Sequence, residues 1–229
     1  CDKVGIPAGV VNFVTGPGSV VGNELSKNPK IGMASLTGSV SAGKRIMSAA
    51  AEHVGEVSLE LGGNAPAIVC DDADIDEAVK DIIGSRFDNN GELCNNVQRV
   101  YVQEGVADEF MEKLVAGVKA IATGDTVKNP DIGMGPLINK AALEKVDSQV
   151  KQAVKEGAKV VVGGKPMEGK GFFYEPTILT NVTQEGSAIQ DEIFGPVLPV
   201  MTFKNLKDAV EMCNDSTMGL TSGIFTKSL

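Results

Sequence analysis

The chain has 229 residues, 42% hydrophobic and 22% charged, an ordinary globular balance with length for one large domain or two small ones. Lys and Arg total 21 against 30 Asp and Glu, and a net charge of −9 with no basic cluster argues against a nucleic-acid partner. No apolar stretch approaches the roughly 20 residues of a membrane span and no signal-peptide pattern opens the chain, while four scattered cysteines and one histidine (His53) argue against a metal site and fit a reducing cytoplasm.

Cys1 rather than Met opens the chain, and Leu229 closes it after a Lys-Ser pair, so it reads as a segment cut from something longer. Short apolar runs alternate with amphipathic stretches, which predicts an α/β fold with parallel strands. Residues 10–14 read as a strand, and Gly16-Pro17-Gly18 turns it into a short helix over 19–26. A strand over 31–36 follows, then Thr37-Gly38-Ser39 and a helix over 40–51, then a third strand over 57–61 ending at Gly62-Gly63. The best domain boundary lies there, giving residues 1–62 and 63–229.

Beyond it, 67–70 is a fourth strand, and Asp71, Asp72 and Asp74 signal a helix start. Ile75, Val79, Ile82 and Ile83 share one face of that helix, which fades into Asp88-Asn89-Asn90-Gly91 just before Cys94. A strand over 100–102 leads to a helix marked by Phe110, Leu114, Val118 and Ile121. Leu143, Val146, Val150 and Val154 mark another helix, stopped by Gly157 in a left-handed cap position. Strands are predicted over 159–162, 177–179, 197–203 and 221–225, with a helix over 206–213.

Several residues in this frame can carry chemistry. Glycines 16, 18 and 22 lie between strand and helix, where backbone can approach a pyrophosphate or simply turn tightly. Ser39 is an N-cap candidate, and the same turn suits a phosphate. Glu60, among Ser58, Leu59 and Leu61, is either a partly exposed strand end or a carboxylate in apolar surroundings, suited to general base work. Cys94 is either a buried structural thiol or a nucleophile, and the crowd of Asn89, Asn90, Glu92, Asn95 and Asn96 favours the second. Cys70 and Cys213 sit in apolar patterns and read as core thiols; His53 reads as a solvated helix residue. Glu192 and Phe194, before Gly195-Pro196, form either a turn with an aromatic plug or a carboxylate for a ribose diol beside a ring.

Five segments, in order, carry a resemblance: Gly5-Ile6-Pro7-Ala8-Gly9-Val10-Val11-Asn12, Leu36-Thr37-Gly38-Ser39, Leu59-Glu60-Leu61-Gly62-Gly63, Gly91-Glu92-Leu93-Cys94 and Glu192-Ile193-Phe194-Gly195-Pro196. The chain resembles the NAD(P)-dependent aldehyde dehydrogenase family over essentially its whole length. Cys94-Asn95, Gly133-Met134-Gly135-Pro136-Leu137-Ile138-Asn139 and Asn214-Asp215-Ser216 are similar to bacterial lactaldehyde/glycolaldehyde dehydrogenases.

The resemblance implies part of a Rossmann-like nucleotide-binding domain (1–62) and then an α/β catalytic domain (63–229), truncated at both ends. It also implies oxidation of a small aldehyde to the acid with NAD, NADP being an alternative. Cys94 would attack the carbonyl and Glu60 would activate the water that hydrolyses the thioester. Ser39 would bind the pyrophosphate, Gly38 and Gly43 would frame the helix start, and Gly18 and Gly22 would lie along the cofactor. Leu61 and Gly62 would approach the nicotinamide, Glu192 would bind its ribose, and Phe194 would pack near the ring. The parent protein would be a homo-oligomer.

This sequence departs from the family's usual Phe at Leu36 and its usual Gln at Glu92; the Glu92 charge would raise the thiol pKa if the two side chains face each other. Because family members are longer, the resemblance places an oxyanion asparagine and the adenine-ribose lysine upstream, so the isolated segment is expected to be weakly active or inactive. Two rivals remain on the sequence: a cysteine hydrolase or acyltransferase pairing Cys94 with His53, and a non-catalytic α/β fragment.

Overall fold

In the computed structural model, which describes residues 1–228, the chain divides into two compact units, Cys1–Gly62 and Gly63–Leu229. In the first unit, a π-helical turn over Gly18–Gly22 runs directly into α1 (Asn23–Lys27). Strand β1 (Met33–Thr37), helix α2 (Val40–Ala51) and strand β2 (Glu56–Glu60) follow. β1 and β2 pair in parallel from Met33 opposite Glu56 to Thr37 opposite Glu60.

The strand predicted over 10–14 does not form. Among the described residues no strand pairs with this segment, and it is exposed throughout, with Phe13 89% accessible. An apolar run without a partner leaves backbone groups to water, so no ladder is made. His53 also differs from expectation. It lies in the turn after α2, half-buried and folded over Gly55, where a Cβ would stand 2.7 Å from its Nε2.

The second unit contains β3 (Pro66–Val69), α3 (Ile75–Phe87), β4 (Arg99–Gln103), α4 (Ala107–Lys119), α5 (Lys140–Lys155) and β5 (Lys159–Val162). It continues with β6 (Thr177–Thr180), α6 (Ser187–Gln190), β7 (Val197–Phe203), α7 (Leu206–Asn214) and β8 (Gly223–Phe225). The six strands are ordered β5-β6-β7-β4-β3-β8. All neighbours run parallel except β5 and β6, which are antiparallel. The expected parallel strands are present, and the one antiparallel edge follows from the helix-free connection over 163–176; a parallel pair needs a crossover, usually a helix.

Val100, Tyr101 and Val102 in β4 are fully buried, as a strand covered on both faces requires. One face packs Ala67, Val69, Val100 and Val102 against Ile75, Val79 and Ile82 of α3 and Phe110, Leu114 and Val118 of α4. On the other, Ile68, Tyr101 and Phe203 meet Ala209 of α7. α5 presents Val146, Val150 and Ala153 to Leu179 and Val197, while Val154 at the edge of its stripe stays exposed. Gly157 ends α5 at φ 109°.

Candidate active site

In the first unit, β1 gives way to a turn in which the Gly38 N–H donates to the Glu60 carbonyl at 2.9 Å. Ser39 stays extended and caps α2: its Oγ accepts the Ala42 N–H at 3.2 Å and lies 3.0 Å from Ser41 Oγ. Gly43 is buried one turn later, and a Cβ there would stand 2.7 Å from Leu61 Cδ2, so glycine lets α2 lie close to the end of β2. A cavity of about 420 Å³ opens in the same unit, with Gly18, Gly22, Leu36, Ala42 and Arg45 among its walls. A glycine-rich wall beside an exposed helix start suits a nucleotide and its phosphates. Leu61 and Gly62 are half-buried.

Glu60 is exposed at the last position of β2. The apolar enclosure expected from Leu59 and Leu61 is absent because neighbouring side chains on a strand point to opposite faces.

In the second unit, α3 ends at Phe87 and the chain is reversed by three consecutive left-handed residues, Asn89 (φ 44°), Asn90 (φ 61°) and Gly91 (φ 73°). Asparagine and glycine tolerate this conformation best. Asn90 Nδ2 donates to the Pro136 carbonyl at 2.8 Å, which anchors the reversal. Cys94 follows in a turn, half-buried with a free thiol. Thr221 Oγ1 grips the same turn by donating to the Asn95 carbonyl at 3.1 Å. Glu92 is tied down by the Ile138 N–H, 3.2 and 3.3 Å from its two oxygens, and burial raises its carboxyl pKa, partly offset by that bond.

Gly63 and Glu192, in the same second unit, lie beside this turn. The Glu192 carboxylate accepts the Gly63 N–H at 3.1 Å. A Cβ at Gly63 would stand 2.6 Å from the Cys94 carbonyl oxygen, so the Gly63 backbone lies directly against the cysteine turn. Phe194 is half-buried in the loop that follows Glu192.

Arg86 was missed in the sequence. It has no solvent exposure; Nη1 donates to Asn96 Oδ1 at 3.1 Å and the Val97 carbonyl at 3.3 Å, and Nη2 to the Ile193 and Gly195 carbonyls at 2.7 and 2.6 Å. Burial pulls its pKa down to about 9, and the Glu192 charge opposes that. A signal existed: Ile75, Val79, Ile82 and Arg86 fall on one helical stripe, so the arginine occupies a core position. Asn64 and Arg99 were missed as well. Arg99, buried, binds the Asn64 carbonyl and the Cys213 carbonyl, and Asn64 Nδ2 binds the Ile189 carbonyl at 2.7 Å.

The family model described as "Aldehyde dehydrogenase family" matches residues 1–229. The chain belongs to the aldehyde dehydrogenase family. It is 54% identical over 228 residues to lactaldehyde dehydrogenase of Escherichia coli, covering 100% of this chain and 48% of that one. The crystal structure of the Escherichia coli lactaldehyde dehydrogenase matches with a TM-score of 0.98 over 100% of this chain and 48% of its own. A betaine aldehyde dehydrogenase from Staphylococcus aureus, solved in complex with NAD+, is 37% identical with a TM-score of 0.95, over 99% of this chain and 46% of that one. The chain thus spans about half the length of these aldehyde dehydrogenases. Among the described residues no helix is long and apolar enough to cross a membrane.

Proposed function

We propose that the protein carrying this chain oxidises a small aldehyde, of the lactaldehyde or glycolaldehyde type, to its carboxylic acid with NAD(P)+. The observation that carries the reading is the meeting of Gly63, the Cys94 turn and the Glu192 carboxylate at one junction. The similarity to the Escherichia coli lactaldehyde dehydrogenase supports the substrate class.

In this reading residues 1–62 belong to the nucleotide-binding domain and 63–229 to the catalytic domain. Gly18 and Gly22 lie along the nucleotide, Ser39 binds its pyrophosphate, and Gly38 and Gly43 frame the α2 start beneath it. Leu61 and Gly62 approach the nicotinamide, Glu192 binds its ribose and Phe194 packs near the ring. When bound, the coenzyme accepts the hydride that leaves the substrate carbon.

The chain's residues do the rest. The Cys94 thiolate bonds to the aldehyde carbon, giving a thiohemiacetal alkoxide; loss of hydride from that carbon leaves a thioester. Glu60 takes a proton from water as the water oxygen attacks the thioester carbon, and the thiolate leaves as acid forms. Sulfur suits both ends, as nucleophile and as leaving group. The protein works as a homo-oligomer in the cytoplasm.

The test is aldehyde-dependent reduction of NAD(P)+ by the parent protein, monitored optically with lactaldehyde and glycolaldehyde. Cys94→Ala should abolish product, and Glu60→Gln should slow thioester hydrolysis, with a burst of reduced coenzyme before a slow steady state. Aldehyde oxidation that survives Cys94→Ala, or turnover of esters alone with no coenzyme-dependent turnover of aldehyde, would end the reading.

A further inference from the structure

Arg86 is a buried cation whose four hydrogen bonds all go to uncharged oxygens. Burying such a group is costly; these four bonds offset much of that cost, while Nε has no partner among the described residues. Its acceptors fall in two groups. Asn96 and Val97 directly follow the Cys94 turn, while Ile193 and Gly195 directly follow Glu192. Among the described residues, the guanidinium is therefore the one polar side chain that spans both segments from within the core. A second observation points to the same seam: a Cβ on Gly91, just before the cysteine turn, would collide with the Gly195 carbonyl and stand 3.1 Å from the Arg86 carbonyl oxygen. The two loops touch backbone to backbone where Arg86 ties them.

We propose that Arg86 is a positioning residue for the reaction: its planar fork fixes the Cys94 turn relative to the Glu192 loop. The claim rests on the function proposed above for Cys94 and Glu192. Geometry, more than charge, performs this role, because a guanidinium presents donors in a fixed plane to four acceptors at once. A lysine ammonium keeps the charge but has three donors and no fork. Asn96 is the intermediary on the cysteine side, since its Oδ1 accepts from both Arg86 and Gln98 Nε2.

The experiment compares Arg86→Lys, Asn96→Ala and Phe110→Leu, the last destabilising the same unit away from both loops. Three readouts are taken: kcat and KM for NAD, the rate of iodoacetamide alkylation at Cys94, and hydrogen exchange at the Gly63 amide. Arg86→Lys should lose about 10²-fold in kcat/KM, the scale of a small misplacement of reacting groups. KM for NAD should rise, Cys94 alkylation should change and Gly63 exchange should accelerate. Asn96→Ala should alter Cys94 alkylation while the Gly63 amide stays protected. Phe110→Leu should lower the unfolding midpoint and leave all three readouts alone.

Wild-type alkylation and exchange in both Arg86→Lys and Asn96→Ala would overturn the proposal. So would the same shifts in Phe110→Leu, which would make Arg86 merely structural. If Arg86→Lys does not fold, Asn96→Ala alone decides, with unaltered Cys94 alkylation as the refuting result. All variants are made in the full-length parent protein; absent coenzyme reduction by that wild type would refute the proposed function instead, and the alkylation and exchange readouts would still judge Arg86.

Discussion

The Glu192 carboxylate holds the Gly63 amide at 3.1 Å across 129 residues of sequence. Gly63 is buried, so losing its acceptor leaves a donor with no water to turn to. Glu192→Ala should destabilise the second unit by about 1–3 kcal/mol, and Glu192→Gln, which keeps an acceptor oxygen, by less. Urea denaturation of the two variants checks this; equal losses would show that charge, not the bond, is what matters.

Two glycines should respond in opposite ways. Gly91 has φ 73° and its Cβ would strike the Gly195 carbonyl, so Gly91→Ala adds strain to overpacking and should cost more than about 2 kcal/mol. Gly84 lies inside α3 with open space where a Cβ would stand, so Gly84→Ala should stabilise by up to about 1 kcal/mol. Thermal unfolding of both variants measures the contrast.

Glu92 should make stability pH-dependent in a defined direction. Burial raises its carboxyl pKa, partly offset by the Ile138 amide. The folded chain then binds this proton more tightly than the unfolded chain, so the group's contribution falls as pH rises above about 4 through the raised folded value. Glu92→Gln removes that titration and keeps an acceptor for Ile138. Its stability gain over wild type should vanish below about pH 4 and grow toward neutrality. A gain largest in acid would reverse the sign and refute the prediction.

Alkylation should discriminate among the four thiols. Cys70 is buried with its pKa raised by that burial and then by Asp72 and Asp71, and burial pushes Cys213 up to about 11. Cys94 is half-buried in a turn and Cys1 is exposed. Brief iodoacetamide treatment near neutral pH, followed by peptide mass spectrometry, should mark Cys1 and Cys94 and spare the other two. Labelling of Cys213 ahead of Cys94 would count against a reactive Cys94.

Much of the fold was legible because local signals agree with tertiary packing. Asp74 caps α3 as its position suggested, α2 runs over the predicted 40–51, and β7 over the predicted 197–203. Helical stripes and buried apolar strands announce themselves, since burial selects residue type at a fixed period. The residues 10–14 misled because an apolar, β-branched run records a preference, and a strand also needs a neighbour. The antiparallel direction of β5 was not legible, because strand direction depends on how the connection returns, which strand composition does not encode.

The sequence alone determined the family-bearing segments, the order of most helices and strands, and the polar setting that distinguishes Cys94 from Cys70 and Cys213. Only the tertiary structure decided that the Glu192 carboxylate binds the Gly63 amide, that Gly63 abuts the Cys94 carbonyl, and that Arg86 links the two loops from inside the core. The physical reason is that a hydrogen bond depends on a few tenths of an ångström and a direction. Residues far apart along a chain acquire both only when the sheet beneath them is formed.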